Sequence, residues 1–427
     1  MNLFKHSLII TCLSTSLLLT SASQAKQAEV ELIHWWNQPG EIDGLNVIKR
    51  AVEARGAKFI ETRVPSWEKL RSSIISRITS GYAPAATQWL VDEDIFELRS
   101  INALEPLPTL LNGNAIKDIL LDEVYREVTS KDELLSLPVG IHIQNHTLYN
   151  TKIYTELSLP LPTSWEQVLA QAPLIKQAGY VPLAVSNELW QFDILFNAIM
   201  MEQLGFARFQ QLYQKHQSMK HLREPFIKSM SIFRKLKILS DPEQPYRDWA
   251  RSARMVGKQQ VAMQVMGDFA KAELTNMDLT AGKEFLCSLS PGSNGNMIYA
   301  IDSFMMLNVD EPHLQQGQKI LLDAALDNEV QIHYSLKKGS IPVTKVAPDK
   351  LDVCSRKSYQ LWLNTEKKIS TFLGVSNPLR SSFFQTMLNK AWYQNDMTSA
   401  QLIDELIEID ESTLKTKHRR QGRASLH

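Results

Sequence analysis

Hydrophobic positions in the first ninety residues alternate between strand-like runs and helix-spaced stripes. Residues 30–34 form a short apolar run that predicts a buried strand, and residues 42–55 carry apolar side chains at helical spacing before Gly56, a typical helix-ending residue. AKFIETRV predicts a second strand, SWEKLRSSIISRITSG a helix that begins after Ser66, and APAATQWLV a third strand. This order indicates a parallel sheet with helices on its faces, which is the α/β class.

The same alternation continues along the chain. Residues 137–185 predict a strand, a short helix, a proline-rich turn, a helix after Ser164 and another strand. Residues 257–274 predict a strand, a turn at Gly267 and a helix, and residues 315–412 are mainly helical in pattern. Some 400 residues are too many for one compact core, so we expect two domains.

The N-terminus has a different pattern. Lys5 and His6 precede an apolar stretch, and the small and polar residues TSASQA follow it. This order predicts a secretory signal peptide over residues 1–25 with cleavage after Ala25, and an uncleaved anchor is the alternative. We therefore expect an exported, periplasmic protein.

Charge and cysteine content narrow the possible partners. The chain has 46 Lys and Arg against 46 Asp and Glu, mixed along its length, so we expect no nucleic-acid partner. The basic tail at 416–424 is expected to be a solvated terminus. Beyond the signal peptide only Cys287 and Cys354 remain, and whether they pair stays open.

Two tryptophans stand where a ligand would be expected. Trp35 and Trp36 follow the first strand, Gln88 lies near the end of the third, and open α/β sheets bind ligands at the carboxyl ends of their strands. Because successive strand residues face opposite sides, one tryptophan can belong to the core while the other faces ligand.

Four stretches in a fixed order resemble a known family. They are IHWWNQPGE, LYNTKIYTELSLPLPTSWEQVLAQAPLIKQAGYVPLAV, GKQQVAMQVMGDFAKAEL, and SPGSNGNMIYAIDSFMML followed by KKGSIPV. Together they resemble the family 1 extracellular solute-binding proteins of ABC importers, the carbohydrate-binding group related to maltodextrin-binding protein. The finer pattern is most similar to the aldose- or glucose-type members.

The resemblance implies a two-lobe periplasmic-binding-protein fold. Each lobe is an α/β sheet flanked by helices, and crossing hinge strands near 138–146, 298–308 and 340–346 join the lobes around the ligand. The first lobe is expected to comprise 26–139 with about 303–342, and the second 140–302 with about 343–427. Such lobes close by hinge motion.

Sugars present an apolar face for aromatic rings and a rim of hydroxyls for charged and amide groups. Residue chemistry and the resemblance together nominate as ligand-binding residues Trp35, Trp36, Glu41, Gln88, His142, Trp190, Trp249, Asp268, Asp302 and Lys338.

Several of these candidates have a structural alternative. Glu41 has the place of a helix-start carboxylate, and a helix-cap role is the alternative for Asp302 and especially for Asp268. Lys337 is the alternative to Lys338. A lone His142 on a strand is often structural, and Trp190 or Trp249 could serve packing.

The chain also departs from the family pattern near the expected pocket. The aldose type often has glycines where this chain has Pro39 and the stretch PSWEKL, and a tryptophan where it has Phe269, while Trp67 adds a ring. A glucose specificity is therefore not carried over.

The implied function is that of a monomeric binding protein, not an enzyme, which captures a mono- or small oligosaccharide and delivers it to ABC permease membrane subunits. No cofactor and no metal are expected. A same-fold sensory protein that signals to a membrane receptor, and a binder of a phosphorylated compound or polyol, remain alternatives. So does a secreted glycoside hydrolase, which would need two carboxylates about 5–9.5 Å apart, and Asp268 and Asp302 qualify by type.

Overall fold

The computed structural model of the protein describes residues 26–91, 98–99, 101–214, 218–370 and 378–424. The predicted signal peptide lies outside them, as do the side chains of the basic tail. The strands are β1 (Glu29–His34), β2 (Lys58–Arg63), β3 (Ala86–Leu90), β4 (Leu110–Leu111), β5 (Asn114–Ala115), β6 (Thr129–Ser130), β7 (Glu133–Leu134), β8 (Leu137–Ile143), β9 (His146–Asn150), β10 (Val181–Ala184), β11 (Val261–Met266), β12 (Phe285–Leu289), β13 (Met297–Met306) and β14 (Lys368–Ser370).

The α-helices are α1 (Pro39–Ala54), α2 (Trp67–Thr79), α3 (Ile116–Ile119), α4 (Asp122–Glu127), α5 (Thr151–Glu156), α6 (Trp165–Gln177), α7 (Leu189–Leu204), α8 (Phe206–Gln214), α9 (Arg223–Lys237), α10 (Trp249–Gly257), α11 (Ala270–Thr275), α12 (Pro312–Ala325), α13 (Asn328–Lys338), α14 (Val353–Asn364), α15 (Pro378–Tyr393) and α16 (Ser399–Ala424). Short 3-10 helices cover Met219–Leu222, Gln244–Tyr246 and Pro348–Lys350. Within the described ranges, none of these helices combines the length and apolarity that a membrane crossing requires.

The first sheet contains the predicted strand–helix–strand–helix–strand unit. Strand β1 runs parallel to both β2 and β3, and β13 continues the sheet antiparallel to β3. Strand β13 also pairs with β8 and β14, so the sheet has six strands. The α/β class predicted from the apolar periodicity is confirmed.

Local sequence explains where the helices of this unit begin and what they bury. The Ser66 hydroxyl accepts a hydrogen bond from the Lys69 amide and caps α2, whose Leu70 and Ile74 are fully buried. Helix α1 begins at Pro39, a residue suited to the first helical position, and buries an apolar stripe at helical spacing.

The second sheet has the order β10-β11-β9-β12. Strands β10 and β11 are parallel, and β9 is antiparallel to both of its neighbours. Helix α7 lies in the core of this half: Phe192 and Phe196 pack against Phe233 of α9, and Phe192 stacks on Trp392 of α15. The molecule therefore has two α/β halves, each with its own core.

The chain passes between the halves at two short connections that the structure describes. Residues 144 and 145 join β8 to β9, and residues 290–296 join β12 to β13. The segment expected to cross near 340–346 stays in the first half instead, because Ile341 pairs with Ile141 of β8. Residues 343–362, which we assigned to the second lobe, supply Val343 and Trp362 to the first core.

Helix α14 contacts both halves. Near its C-terminal end, Trp362 meets the Tyr299 ring edge-on in the first core, with ring centroids 4.9 Å apart. Near its N-terminal end, Cys354 forms a disulfide with Cys287 of β12, and their Cα atoms are 5.9 Å apart. The structure thus pairs the two cysteines whose state the sequence left open.

Candidate functional site

Five ionisable side chains from the two halves form one continuous chain, in which four members are buried and Glu41 is partly exposed. His142 lies on β8, Asp302 on β13, Lys338 at the end of α13 and Glu41 in the first turn of α1, all in the first half. Asp268 comes from the turn after β11 in the second half. Although they are far apart in sequence, the structure joins these five candidates in the order Asp268, His142, Asp302, Lys338, Glu41.

His142 is held between two carboxylates. Its Nδ1 lies 2.7 Å from Asp268 Oδ1, and its Nε2 lies 3.2 Å from Asp302 Oδ2. Burial lowers the pKa of His142, but the two carboxylates outweigh it and raise the pKa above the usual value. The Nδ1 contact with Asp268 is a hydrogen bond, whereas Nε2 faces Asp302 as an ion-pair contact without hydrogen-bond geometry.

The carboxylate of Asp268 faces β8 and not the helix that follows it. Its Oδ2 accepts a hydrogen bond from the Ile143 amide at 3.1 Å, and its own amide donates to the Ile143 carbonyl at 3.0 Å. The residue that precedes α11 is Phe269. The helix-cap alternative for Asp268 is therefore wrong.

Lys338 joins the two remaining carboxylates of the chain. Its Nζ lies 3.6 Å from both Asp302 Oδ2 and Glu41 Oε1, and 4.8 Å from the centroid of the Trp36 ring. Burial raises the pKa of Asp302, but Lys338 and His142 together hold it below the ordinary value. The preceding Lys337 is exposed, so α13 turns only Lys338 into the site.

Glu41 has both of the roles considered for it. Its Oε2 accepts hydrogen bonds from the Asn37 and Gln38 amides, each at 3.0 Å, and so caps α1, while its Oε1 faces Lys338. Gly339, with φ of 87°, follows Lys338, and a side chain there would place its Cβ 2.7 Å from the Asp268 carbonyl oxygen. Only glycine allows this close approach.

Aromatic rings of the second half surround the turn that holds Asp268. The Phe269 ring lies 5.0 Å from Trp249, 6.2 Å from Trp190 and 5.5 Å from His142, centroid to centroid. Phe269 is thus the ring that joins the two tryptophans to the charged chain. In the sequence Phe269 stands out only as a departure from the family pattern, although its position next to Asp268 could have indicated that it belongs to the site.

The two adjacent tryptophans of the first half have different surroundings. Trp36 is buried against Phe304 and Lys338, whereas Trp35 is half-buried and meets Trp67 edge-on at 5.3 Å. The Trp67 ring in turn meets Trp89, so the added ring extends the side on which Trp35 lies. An open cavity of about 510 Å³ beside it is lined by Trp67, Glu68, Arg71, Ser72, Ile75 and Ser76.

Gln88 supports the end of β1. Its Oε1 accepts a hydrogen bond from the Trp35 amide at 3.0 Å, and its side chain is fully buried. Its Nε2 has no hydrogen-bond partner among the described residues. Gln88 therefore holds the Trp35 backbone at the end of β1.

Two residues that we did not predict hold Trp249 in place. Glu188 Oε2 accepts a hydrogen bond from the Trp249 amide at 2.7 Å, and Gln264 Nε2 donates to its carbonyl at 3.2 Å. Burial raises the pKa of Glu188 above its usual value. Both partners are distant in sequence, and a strand–turn pattern contains no signal for either bond.

Residues 60–332 match the profile of the bacterial extracellular solute-binding proteins. The chain belongs to this family. This solute-binding protein is 25% identical to a "Probable sugar-binding periplasmic protein" of Mesorhizobium japonicum. The match extends over 419 residues and covers 96% of the present chain and 100% of the relative. A protein of the same description from Rhizobium meliloti is 24% identical over 413 residues, or 94% and 99% of the two chains.

Solved structures show the fold of this solute-binding protein. A chitin oligosaccharide binding protein superposes with a TM-score of 0.76 over 90% of this chain and 98% of that one, at 14% identity. A maltose-bound protein of T. maritima superposes with a TM-score of 0.69 over 90% and 99%, at 11% identity. The predicted two-lobe periplasmic-binding-protein fold is confirmed.

The first half, with its six-stranded sheet, is hereafter the first lobe, and the other half is the second lobe. Within the described residues, no group of three or more His, Cys, Asp or Glu side chains is arranged to hold a metal ion.

Proposed function

We propose that this protein captures a mono- or small oligosaccharide in the periplasm, between its two lobes, and delivers it to the membrane subunits of an ABC permease. It acts as a monomer, performs no chemistry and uses no cofactor. The sugar-binding description of its relatives supports the ligand class. The predicted signal peptide supports export.

One observation carries the proposal: a largely buried charged chain with aromatic rings on both sides. The rings of Phe269, Trp190 and Trp249 lie on the second-lobe side, and Trp36 lies on the first-lobe side. A ring that covers one face of a sugar removes on the order of 100 Å² of apolar surface from water, worth about 2.5 kcal/mol. Carboxylate, imidazole and ammonium groups can bind the hydroxyl rim, and a missing partner for any of them is costly.

Hinge closure is the proposed mechanism. Asp268 is the second-lobe member of the charged chain, and the other four members come from the first lobe. Opening at the connections 144–145 and 290–296 would separate Asp268 and Phe269 from His142 and expose these groups to water. Sugar hydroxyls would then replace contacts that the side chains make with one another. We also propose that residues 343–351 belong to the first lobe and that α14 lies between the two lobes.

The electrostatics of Asp302 do not favour the hydrolase alternative. A glycoside hydrolase needs one carboxyl group whose pKa is raised, so that it can protonate the leaving group. The pKa of Asp302 is lowered, and His142 lies between the carboxyl groups of Asp302 and Asp268. A lowered pKa suits Asp302 as a hydrogen-bond acceptor and not as a proton donor.

Intrinsic tryptophan fluorescence, titrated with a panel of sugars, tests the proposal. The panel holds monosaccharides, disaccharides, polyols, uronic acids and sugar phosphates, and prebound ligand is first removed by unfolding and refolding. We expect saturation by a neutral sugar at micromolar concentration, equivalent to about 8 kcal/mol of binding free energy. If no sugar of the panel changes the fluorescence of the folded protein, the sugar assignment is refuted.

Replacement of one charged group then tests the assignment of the site. We expect Asp302→Ala to weaken sugar binding about a hundredfold or more, because a charged acceptor for hydroxyls is lost. Asp310→Ala is the matched control, since Asp310 is exposed beyond the end of β13. Unchanged affinity in a folded Asp302→Ala protein would remove Asp302 from the site.

A further inference from the structure

Helix α1 of the first lobe begins directly against helix α11 of the second lobe. The Gly40 amide donates a hydrogen bond to Glu273 Oε1 at 3.3 Å, and Asn276 Nδ2 donates to Asp43 Oδ2 at 3.0 Å. A Cβ atom on Gly40 would lie only 2.4 Å from the Cβ of Ala272. The lobes therefore touch at a second place, formed by residues outside the charged chain.

The chemistry of this contact is specific to the start of a helix. Gly40 is at the second position of α1, where backbone amides have no partner within the helix and a negative charge is favoured. Glu273 supplies that charge from the other lobe, and its side chain is only 2% exposed. Arg254 of α10 forms an ion pair with the other oxygen of the same carboxylate.

The backbone of Gly40 does not require glycine. Its φ is not in the left-handed region, and alanine favours a helix more than glycine does. The lack of a side chain is explained by the approach of Ala272, because Cβ atoms essentially never come within 3.0 Å of another atom. If Ala272 lacked its Cβ, the nearest atoms to a Cβ on residue 40 would be 3.4 Å away, an ordinary contact.

We infer that Gly40, Ala272 and Glu273 form a closing contact that sets how far the lobes approach one another, separately from any sugar contact. Gly40 is a positioning residue in this device: a methyl group there forces α1 and α11 apart. Since Glu41 follows Gly40, such a shift also moves Glu41 and Lys338 away from the Asp268 turn. This inference rests on the hinge closure proposed above.

The inference is tested by adding a methyl group at residue 40, removing the one at residue 272, and combining the two changes. Gly40→Ala, Ala272→Gly and the double variant are compared with wild type by small-angle X-ray scattering without sugar. They are also compared by fluorescence titration with each sugar of the panel. We expect Gly40→Ala to have a larger radius of gyration and an affinity reduced on the order of tenfold, because fewer molecules reach the closed arrangement. Ala272→Gly should resemble wild type, and the double variant should regain both properties.

Two results would overturn the inference. One is equal scattering and equal sugar affinity for wild type and Gly40→Ala; the other is a loss in Gly40→Ala that Ala272→Gly does not restore. Circular dichroism verifies that each variant is folded. Should wild type bind no sugar of the panel, the proposed function fails, and scattering of the four proteins alone still decides whether the methyl groups collide.

Glu273→Gln provides a separate measure of the hydrogen bond. Glutamine keeps an acceptor for the Gly40 amide, whereas Glu273→Ala removes it, so we expect a smaller change in radius of gyration and affinity for glutamine than for alanine. Equal effects of the two variants would assign Glu273 to the ion pair with Arg254 and not to the closing contact.

Discussion

Removal of the Lys338 ammonium should destabilise the protein more than removal of any exposed lysine. Lys338→Met keeps the length and apolar stem of the side chain but leaves Asp302 and Glu41 without their shared cation. To break a buried ion pair by deleting one partner costs about 3–5 kcal/mol. Both Nζ–oxygen distances are 3.6 Å, longer than a hydrogen bond, so we expect about 3 kcal/mol, the lower end of the range.

Loss of the contact with the Trp36 ring adds on the order of 1 kcal/mol to this value. A desolvated ammonium over an aromatic face contributes about 2 kcal/mol, and a methionine sulfur placed there recovers about 0.3–1.5 kcal/mol. For a folding unit of the size of one lobe, the resulting total of about 4 kcal/mol corresponds to a melting temperature lower by about 8–16 °C. Thermal unfolding followed by circular dichroism at pH 7 measures it.

The same variant should show a characteristic pH dependence. Lys338 lowers the pKa of Asp302, so its stabilising contribution is present above the pKa of the unfolded carboxyl group and is lost as the pH falls through the folded value. The difference in melting temperature between wild type and variant should therefore be widest near pH 7, and it should narrow below about pH 4, as Asp302 of the wild type becomes protonated.

Lys337→Met is the matched control because Lys337 is the exposed neighbour on the same helix. We expect it to melt within about 2 °C of wild type, as surface substitutions usually do. Equal melting temperatures for Lys338→Met and Lys337→Met at pH 7 would refute the assignment of Lys338 to a largely buried charged chain.

Two further perturbations test other parts of the structure. Asp268 and Asp302 raise the pKa of His142, so the stability that His142 contributes is complete below its unfolded pKa and is lost as the pH rises through its folded pKa. The melting temperature of wild type should therefore fall more steeply above pH 7 than that of His142→Gln. Exposed His333→Gln is the control and should follow wild type, and parallel curves for all three proteins would contradict the prediction. The Cys287–Cys354 disulfide closes a separation of 67 residues, so its loss should cost about 4 kcal/mol. Dithiothreitol should lower the melting temperature of wild type to that of Cys287→Ser/Cys354→Ser, and a wild type unaffected by reduction would show that the bond does not form.

Much of the first lobe was predictable because its elements are local in sequence. Apolar periodicity and the Ser66 cap identified β1, α1, β2, α2 and β3, and the alternation of a strand predicted different surroundings for Trp35 and Trp36. These features depend on neighbours a few residues apart. No comparable local signal marks the path of residues 340–346, because a strand-like segment can pair with either sheet.

The site was predictable in its residue types but not in its connections. Asp268 and Asp302 are predicted as site residues because they are charges among apolar residues, yet nothing in the sequence shows that His142 lies between them. The helix-cap alternative for Asp268 was reasonable from sequence, and it is wrong because the side chain contacts His142 and accepts a hydrogen bond from the Ile143 amide of another strand. The role of Phe269 likewise depends on contacts between distant segments, which periodicity does not encode.

Helix α14 would limit the hinge motion proposed above. One end is fixed to the second sheet by a covalent bond, and the other end is held in the first core by Tyr359 and Trp362. A rigid rod anchored at both ends narrows the range of open arrangements, so less conformational freedom is lost when the lobes shut. In an oxidising compartment, where the disulfide is intact, the open protein would thus have less conformational entropy to lose on binding its ligand. In a reducing compartment the disulfide would be broken and this advantage would be absent.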